Sequence, residues 1–423
     1  MTTAQIFSII IFAVVMAIII SEKLHRATVA LAGGIILILS GVISFDEGID
    51  AVDFNTLGVL LGMMLFVAVV RESGLFEFMA IKAAKIAKGN PWRIMVAFIL
   101  ITAVFSAFLD NVTTVLLVGP MTITICALLK TNPVPFLMTE ILASNIGGTA
   151  TLIGDPPNIM IGSAAKLSFA DFIMVDAPVV LIILAVSVLI FRFLYKKQLT
   201  VTKESVMAVM ALDENDSIKN RALFKKSIVM ICLVVAAFML HGVLGLESCE
   251  IALTAGILMV IIGRADLEKA ITHIEWSTLL FFIGLFIIVG AMEATGVIEM
   301  LATVILNATG GNPILTMLII LWVSAILSAI LDNIPFVATM IPLIMSMEAG
   351  GMDVTPLWWA ISLGACLGGN GTLIGASANV VLSGISTKQG YPITFMQFTK
   401  LGFPIMIVST VIATGYLLIR FCL

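Results

Sequence analysis

Leu-Asp-Asn occurs twice in the middle of long apolar runs, at Leu109-Asp110-Asn111 and at Leu331-Asp332-Asn333. A carboxylate at membrane depth costs at least about 2.5–3.5 kcal/mol on insertion scales, so Asp110 and Asp332 read as cation ligands, proton carriers or helix-capping acids. Thr113 and Thr114 add hydroxyls beside the first pair. Two Gly-rich stretches follow at matching places: Ser144-Asn145-Ile146-Gly147-Gly148-Thr149-Ala150-Thr151-Leu152-Ile153-Gly154-Asp155-Pro156-Pro157-Asn158, and Gly368-Gly369-Asn370-Gly371-Thr372-Leu373-Ile374-Gly375-Ala376-Ser377-Ala378-Asn379. Gly and Pro at this density unwind a helix. Unwinding frees carbonyls that ligate cations and N–H groups that hold anions.

These segments predict one composite site at the centre of the molecule. Its candidate ligands are Asp110, Asn111, Thr113, Thr114, Ser144, Asn145, Gly148, Thr149, Thr151, Asp155 and Asn158 from the first half. The second half offers Asp332, Asn333, Gly369, Asn370, Thr372, Ser377 and Asn379. Sodium would sit at Asn111, Asn333 and the carbonyls of Gly147 and Gly368. For a single Gly or Thr, close helix packing and interhelical hydrogen bonding are explanation enough. The paired pattern needs more, because packing does not require Leu-Asp-Asn at two tips. No Lys or Arg lies within the two tips or the two breaks, which favours cation handling. Asp155 has Ala376 as its counterpart, and that asymmetry makes it the candidate coupling group, with capping of the helix after Pro156 as the competing role. Glu140 is left open between the two kinds of role, Glu72 and Glu293 read as interfacial, and His25, His241 and His273 read as surface residues.

The elements that position these groups are membrane spans. Of 423 residues, 61% are hydrophobic and 11% charged, and the mean hydropathy is +1.18, outside the range of soluble domains. A bilayer core needs roughly 20 apolar residues per helix, and the runs provide ten spans and two interrupted pairs, 92–130 and 313–347. The interrupted pairs read as re-entrant hairpins with their polar tips buried in protein. The expected fold is therefore an all-α polytopic membrane protein. The first run, from Met1, reads as a span rather than a cleaved signal.

An internal repeat organises the chain. Gly89-Asn90-Pro91 recurs as Gly311-Asn312-Pro313, Asp110-Asn111 as Asp332-Asn333 and Pro120 as Pro342, all at one displacement along the chain. Thr151-Leu152-Ile153-Gly154 recurs as Thr372-Leu373-Ile374-Gly375 at almost the same displacement. Residues 1–195 form the first repeat, 196–226 a polar linker with Lys196 and Lys197 among its cations, and 227–423 the second repeat. Five spans per half, an odd number, require the second copy to be inverted, the architecture of alternating-access transporters with a site at the midplane. Placing the linker in the cytoplasm puts all but Lys166 and Arg420 of the 22 basic residues inside, the loop Arg71–Arg93 among them, and leaves the acidic loop Asp46–Asp53, the loop Glu293–Asn312 and both termini outside. The five cysteines, Cys126, Cys232, Cys249, Cys366 and Cys422, are scattered and predict no disulfides. No metal cluster or nucleophile constellation suggests an enzyme, and neither a cofactor nor a nucleic acid partner is expected.

At the tips and breaks the chain resembles the ion transporter superfamily, in the branch of arsenite permeases, sodium/proton antiporters and the melanosomal P protein. Phe108-Leu109-Asp110-Asn111-Val112-Thr113-Thr114, Asn145 to Asn158, Leu331 to Phe336 and Gly364 to Asn379 carry the resemblance, which spans essentially the whole chain. It implies a scaffold half and a transport half moving as an elevator, and a homodimer joined through the scaffold. It also implies secondary transport in the plasma membrane that couples H+ or Na+ to a small inorganic anion or oxyacid, with arsenite or antimonite efflux as the leading substrate and Na+/H+ antiport as the alternative. The related sodium-coupled carboxylate carriers have Ser-Asn-Thr at their tips where this chain has Asp-Asn, so a carboxylate substrate ranks behind, as does a channel.

Overall fold

The computed structural model describes residues 1–21, 23–196 and 199–422, and among them every regular element is a helix. Lys197 of the linker and the side chain of Cys422 lie outside the described residues. Nine of the helices are long and apolar enough to cross a bilayer. Three of the nine, Pro91–Phe108, Asn111–Leu128 and Pro313–Ile330, are arms of the interrupted pairs; of the ten expected spans, 27–44 and 248–262 form shorter helices, Arg26–Leu39 and Ser248–Gly263, and 134–165 and 356–387 are each broken into two. Arg26–Leu39 ends early because Gly41 turns the chain at φ +74° before the capped helix Phe45–Asp50.

Two segments expected to be loops are helical. Leu75–Ile86 lies within the Arg71–Arg93 stretch, and Val297–Thr309 lies between Glu293 and Asn312. Each begins behind a left-handed glycine, Gly74 (φ +81°) and Gly296 (φ +78°), which hold corresponding places in the two halves. At Gly74 a side chain is also barred sterically, since a Cβ would lie 1.8 Å from the Ser217 carbonyl oxygen. The linker is thus packed on the first half. Its helix Lys203–Met210 precedes Glu214, which accepts from Lys85 Nζ at 2.5 Å, while Lys219 reaches Glu77 at 3.4 Å.

Small residues set how closely the spans approach. Phe54–Arg71 packs along Ser248–Gly263, where a Cβ on Gly62 would come within 2.2 Å of the Ala252 backbone. Trp276–Ala294 packs along Arg26–Leu39, where a Cβ on Gly284 would come within 2.4 Å of the Ala30 backbone. The same relation holds the site elements together. Pro91–Phe108 runs along Val134–Gly148 with Gly147 against Ala103, and Pro313–Ile330 runs along Thr355–Gly368 with Gly368 against Ala325. His241, expected at the surface, is buried: its Nε2 accepts the Phe169 N–H at 2.9 Å, tying the end of Arg221–Leu244 to the start of Phe169–Tyr195 across the linker.

Candidate ion-binding site

Each tip is a sharp stop between two helical arms. Leu109 and Leu331 are extended, and the returning arms, Asn111–Leu128 and Asn333–Ala349, start at once. The aspartates sit at the N-cap, where a side-chain oxygen satisfies free N–H groups. Asp110 accepts from the Thr113 N–H at 2.8 Å and from the Thr113 hydroxyl. Asp332 accepts from the Ile334 N–H at 3.2 Å and from two side chains, Ser377 Oγ at 2.8 Å and Arg26 Nη1 at 3.1 Å.

Arg26 corrects the expectation that cations stay clear of the site. It opens helix Arg26–Leu39, its Nη1 also donates to Ser377 Oγ, its Nη2 donates to Thr278 Oγ1 at 3.1 Å, and its guanidinium lies 5.2 Å from the Phe281 ring centre. A cation in the first turn of a helix opposes the macrodipole. That mismatch was the available sequence signal that Arg26 serves something other than its own helix. Glu275 and Thr278, at the start of Trp276–Ala294, were missed in the same way; Thr278 Oγ1 donates to Glu275 Oε2 at 3.0 Å.

The two breaks are built alike. Val134–Gly148 gives way to Pro156–Ala165, and Thr355–Gly368 to Ser377–Lys388. Ser106 donates to the Ser144 carbonyl and Ser328 to the Ala365 carbonyl, both at 2.6 Å. Thr151 and Thr372 donate to the carbonyls of Ala107 and Ala329. Asn158 Nδ2 clasps the carbonyls of Thr149 (3.2 Å) and Thr151 (3.0 Å), and Asn379 Nδ2 those of Gly369 (2.7 Å) and Thr372 (2.9 Å). Thr151, Thr372, Asn158 and Asn379 therefore spend their donors on shaping the breaks. Gly148 and Gly369 are pressed against Gly154 and Gly375. The Gly147 and Gly368 carbonyls each accept a backbone N–H, from Ala150 at 3.0 Å and Gly371 at 2.8 Å.

The breaks meet through asparagine amides. Asn145 Nδ2 donates to Asn370 Oδ1 (3.0 Å) and Asn379 Oδ1 (2.9 Å), and Asn145 Oδ1 accepts from Asn111 Nδ2 at 3.2 Å. Thr149 bonds back to the Asn145 carbonyl, and the buried Thr114 hydroxyl and Asn370 Nδ2 have no protein partner among the described residues. Asp155 stands at the N-cap position of Pro156–Ala165 without making a side-chain cap. Its carboxylate instead receives Asn333 Nδ2 at 3.2 and 3.3 Å.

A cavity of about 20 Å³ lies where these groups converge. Asp110, Asp155, Glu275, Asn111, Asn333 and Arg26 line it. A water-sized particle needs roughly 10–15 Å³ on this measure, so the cavity takes about one. Asp332 borders a separate cavity beside Arg26, and Thr113 borders one with Arg71 and Glu275. No group of three or more His, Cys, Asp or Glu side chains is arranged to hold a metal ion among the described residues.

Long apolar helices wrapped around a buried polar core define an integral membrane protein, and comparison with known proteins supplies its class. Residues 16–364 match the family described as "Citrate transporter", and the chain belongs to this family of membrane transporters. An uncharacterised transporter of Mycobacterium tuberculosis is 43% identical over 99% of both chains. The P protein of Homo sapiens is 33% identical over 97% of this chain and 59% of its own length, in keeping with the superfamily resemblance. Among solved structures, the YdaH transporter of Alcanivorax borkumensis aligns with a TM-score of 0.61 at 16% identity, covering 87% of this chain and 86% of that one, a likeness of fold. The family and the mycobacterial relative are both named as transporters, which makes this chain a membrane transporter rather than an enzyme.

Proposed function

We propose that this chain is a secondary active transporter that binds and exchanges a small cation, Na+ or H+, at the cavity between the two tips. The observation that carries this reading is the lining: three carboxylates and two amides face one guanidinium in a space for about one water-sized particle. Carboxylates crowded out of water favour a cation or a proton to offset their mutual repulsion. The alternating-access part of the reading draws on the paired architecture. Both tips reach a common cavity, which suits re-entrant hairpins, and the serine and threonine bonds to carbonyls in the first break have counterparts in the second. Inverted halves, an elevator movement, a cytoplasmic linker, outward termini and a homodimer complete the proposal.

Arg26 favours a second reading for the co-transported solute. Asp332 and Ser377 occupy its guanidinium, and a carboxylate or other oxyanion could take the place of Asp332 by the same charge-assisted bonds. The family name supplies citrate as one such anion, although the central cavity is far too small for a tricarboxylate in this conformation. Arsenite and antimonite are the solutes that the superfamily resemblance implies, and the amide and hydroxyl groups around the tips suit their OH groups. The test is flux into liposomes loaded with a pH-sensitive dye, adding sodium, lithium, citrate, arsenite and antimonite in turn. Proton flux with sodium or lithium alone supports cation exchange, flux only with a solute identifies a coupled carrier, and no cation dependence in any arm overturns the proposal.

A further inference from the structure

Outside the central cavity, one buried acid has a hydrogen-bond geometry that requires an extra proton. Asp176, about two turns into helix Phe169–Tyr195, is fully buried. Its Oδ2 lies 2.6 Å from Ser362 Oγ, which in turn lies 2.7 Å from Asn158 Oδ1. Asn158 cannot supply a hydrogen to that contact, because both its N–H bonds go to the Thr149 and Thr151 carbonyls, which also fixes its oxygen toward Ser362. Two oxygen–oxygen contacts at hydrogen-bond distance need two hydrogens, and a serine hydroxyl has one. An ionised Asp176 has none to offer.

We propose that Asp176 is a proton-binding site, and that its proton completes a relay from the carboxyl group through Ser362 to Asn158. Asp176 Oδ2–H donates to Ser362 Oγ, and the Ser362 hydrogen goes to Asn158 Oδ1. When the proton leaves to water, the Ser362 hydrogen turns to the carboxylate, and Asn158 Oδ1 keeps only the Cys366 thiol, 3.5 Å away. Asn158 clasps the first break beside Asp155, so loss of the proton loosens the segment that carries a central carboxylate. No ion pair competes for Asp176 among the described residues. From the helices packed against it, Phe395–Cys422 presents Tyr416, which donates to the Val175 carbonyl, and Arg420, which donates to Tyr416 and acts on Asp176 through space. Cys366 faces it from Thr355–Gly368, and Cys366 also interacts with Asp155. His241 of Arg221–Leu244 is spent on Phe169, while Glu140 of Val134–Gly148 accepts from Thr122 through Oε1 and has no partner for Oε2 among the described residues; Pro91–Phe108 reaches this helix through the Phe108–Phe169 ring pair, with its one charge, Arg93, at the other end.

The test uses the full chain in lipid vesicles. Infrared spectra should contain a carbonyl stretch of a protonated carboxyl group that is missing in Asp176→Asn, whose amide can still donate to Ser362. In a background with Cys126, Cys232, Cys249 and Cys422 changed to serine, alkylation of Cys366 should quicken as rising pH removes that band. Asp176→Asn should lose the step and retain the pH dependence of the thiol itself. Should Asp176→Asn not fold, Ser362→Ala carries the test: the carboxyl band shifts and the labelling step disappears. A band that survives unchanged in Asp176→Asn, or a labelling step unaltered by either variant, overturns the proposal. Neither readout depends on sodium flux, so this inference and the cation-exchange reading can fail separately.

Discussion

Asp110 and Asp332 occupy the same place in the two halves but work differently, and the difference lies in what faces them. Asp110 is engaged with its own helix through Thr113, whereas Asp332 divides its carboxylate among its own helix, Ser377 and Arg26. The Arg26–Asp332 pair is partly buried, and a double-mutant cycle with Arg26→Ala and Asp332→Asn should return a coupling of roughly 0.5–3 kcal/mol in thermal stability. If the pair also closes the site, Arg26→Ala should depress flux in the liposome assay more than the double variant does. Asp155 belongs to the cavity by orientation, since it forgoes its cap to face Asn333. A hydrogen bond to a charged group contributes about 1.5–3 kcal/mol. Asp155→Asn should therefore raise the sodium concentration at half-maximal flux by about tenfold or more, and unchanged sodium dependence would remove Asp155 from the ligand set.

At the scale of elements, the tips and breaks were legible because a carboxylate or a Gly-Pro cluster inside an apolar run is costly enough to announce itself. Helices Leu75–Ile86 and Val297–Thr309 were not, since their mixed faces of 12 and 13 residues resemble polar loops when spans are sought by hydropathy. Arg26 escaped notice because its partner lies 306 residues away and its own neighbours, Lys23 and His25, read as a cytoplasmic turn. Asp176 carried the same signal as the tip aspartates, a lone acid within an apolar run, without a repeat partner to draw attention to it. The packing of breaks against hairpin arms makes its own prediction. A Cβ on Gly147 or Gly368 would fall 2.2 or 2.6 Å from the facing carbonyl oxygen, so each Gly→Ala change should cost about 1–3 kcal/mol or more through overpacking. Gly415→Ala, with nothing among the described residues within 4 Å of the added carbon, should leave the melting temperature level or raised. Equal losses at Gly147 and Gly368 are expected from elements built alike.

Across the whole molecule, the small central cavity lies between two larger ones. One, of about 360 Å³, is bounded by Asp50, Ala164, Glu293 and Pro342; the other, of about 80 Å³, by Ala68, Arg71, Thr113 and His273. With the acidic stretch Asp46–Asp53 outside and Arg71 inside, as proposed, the two cavities would be the opposite approaches to the centre. Alternating access requires that opening one approach closes the other, because an ion reaching both at once would leak. In a background without native cysteines, Ala164→Cys and Ala68→Cys place thiols in the two approaches, and labelling in vesicles should respond to sodium in opposite directions. Parallel changes at both positions would indicate a channel-like opening, and no change at either would place the cation elsewhere. Opposite changes that vanish in Asp155→Asn would tie the movement of the whole chain to one carboxylate at its centre.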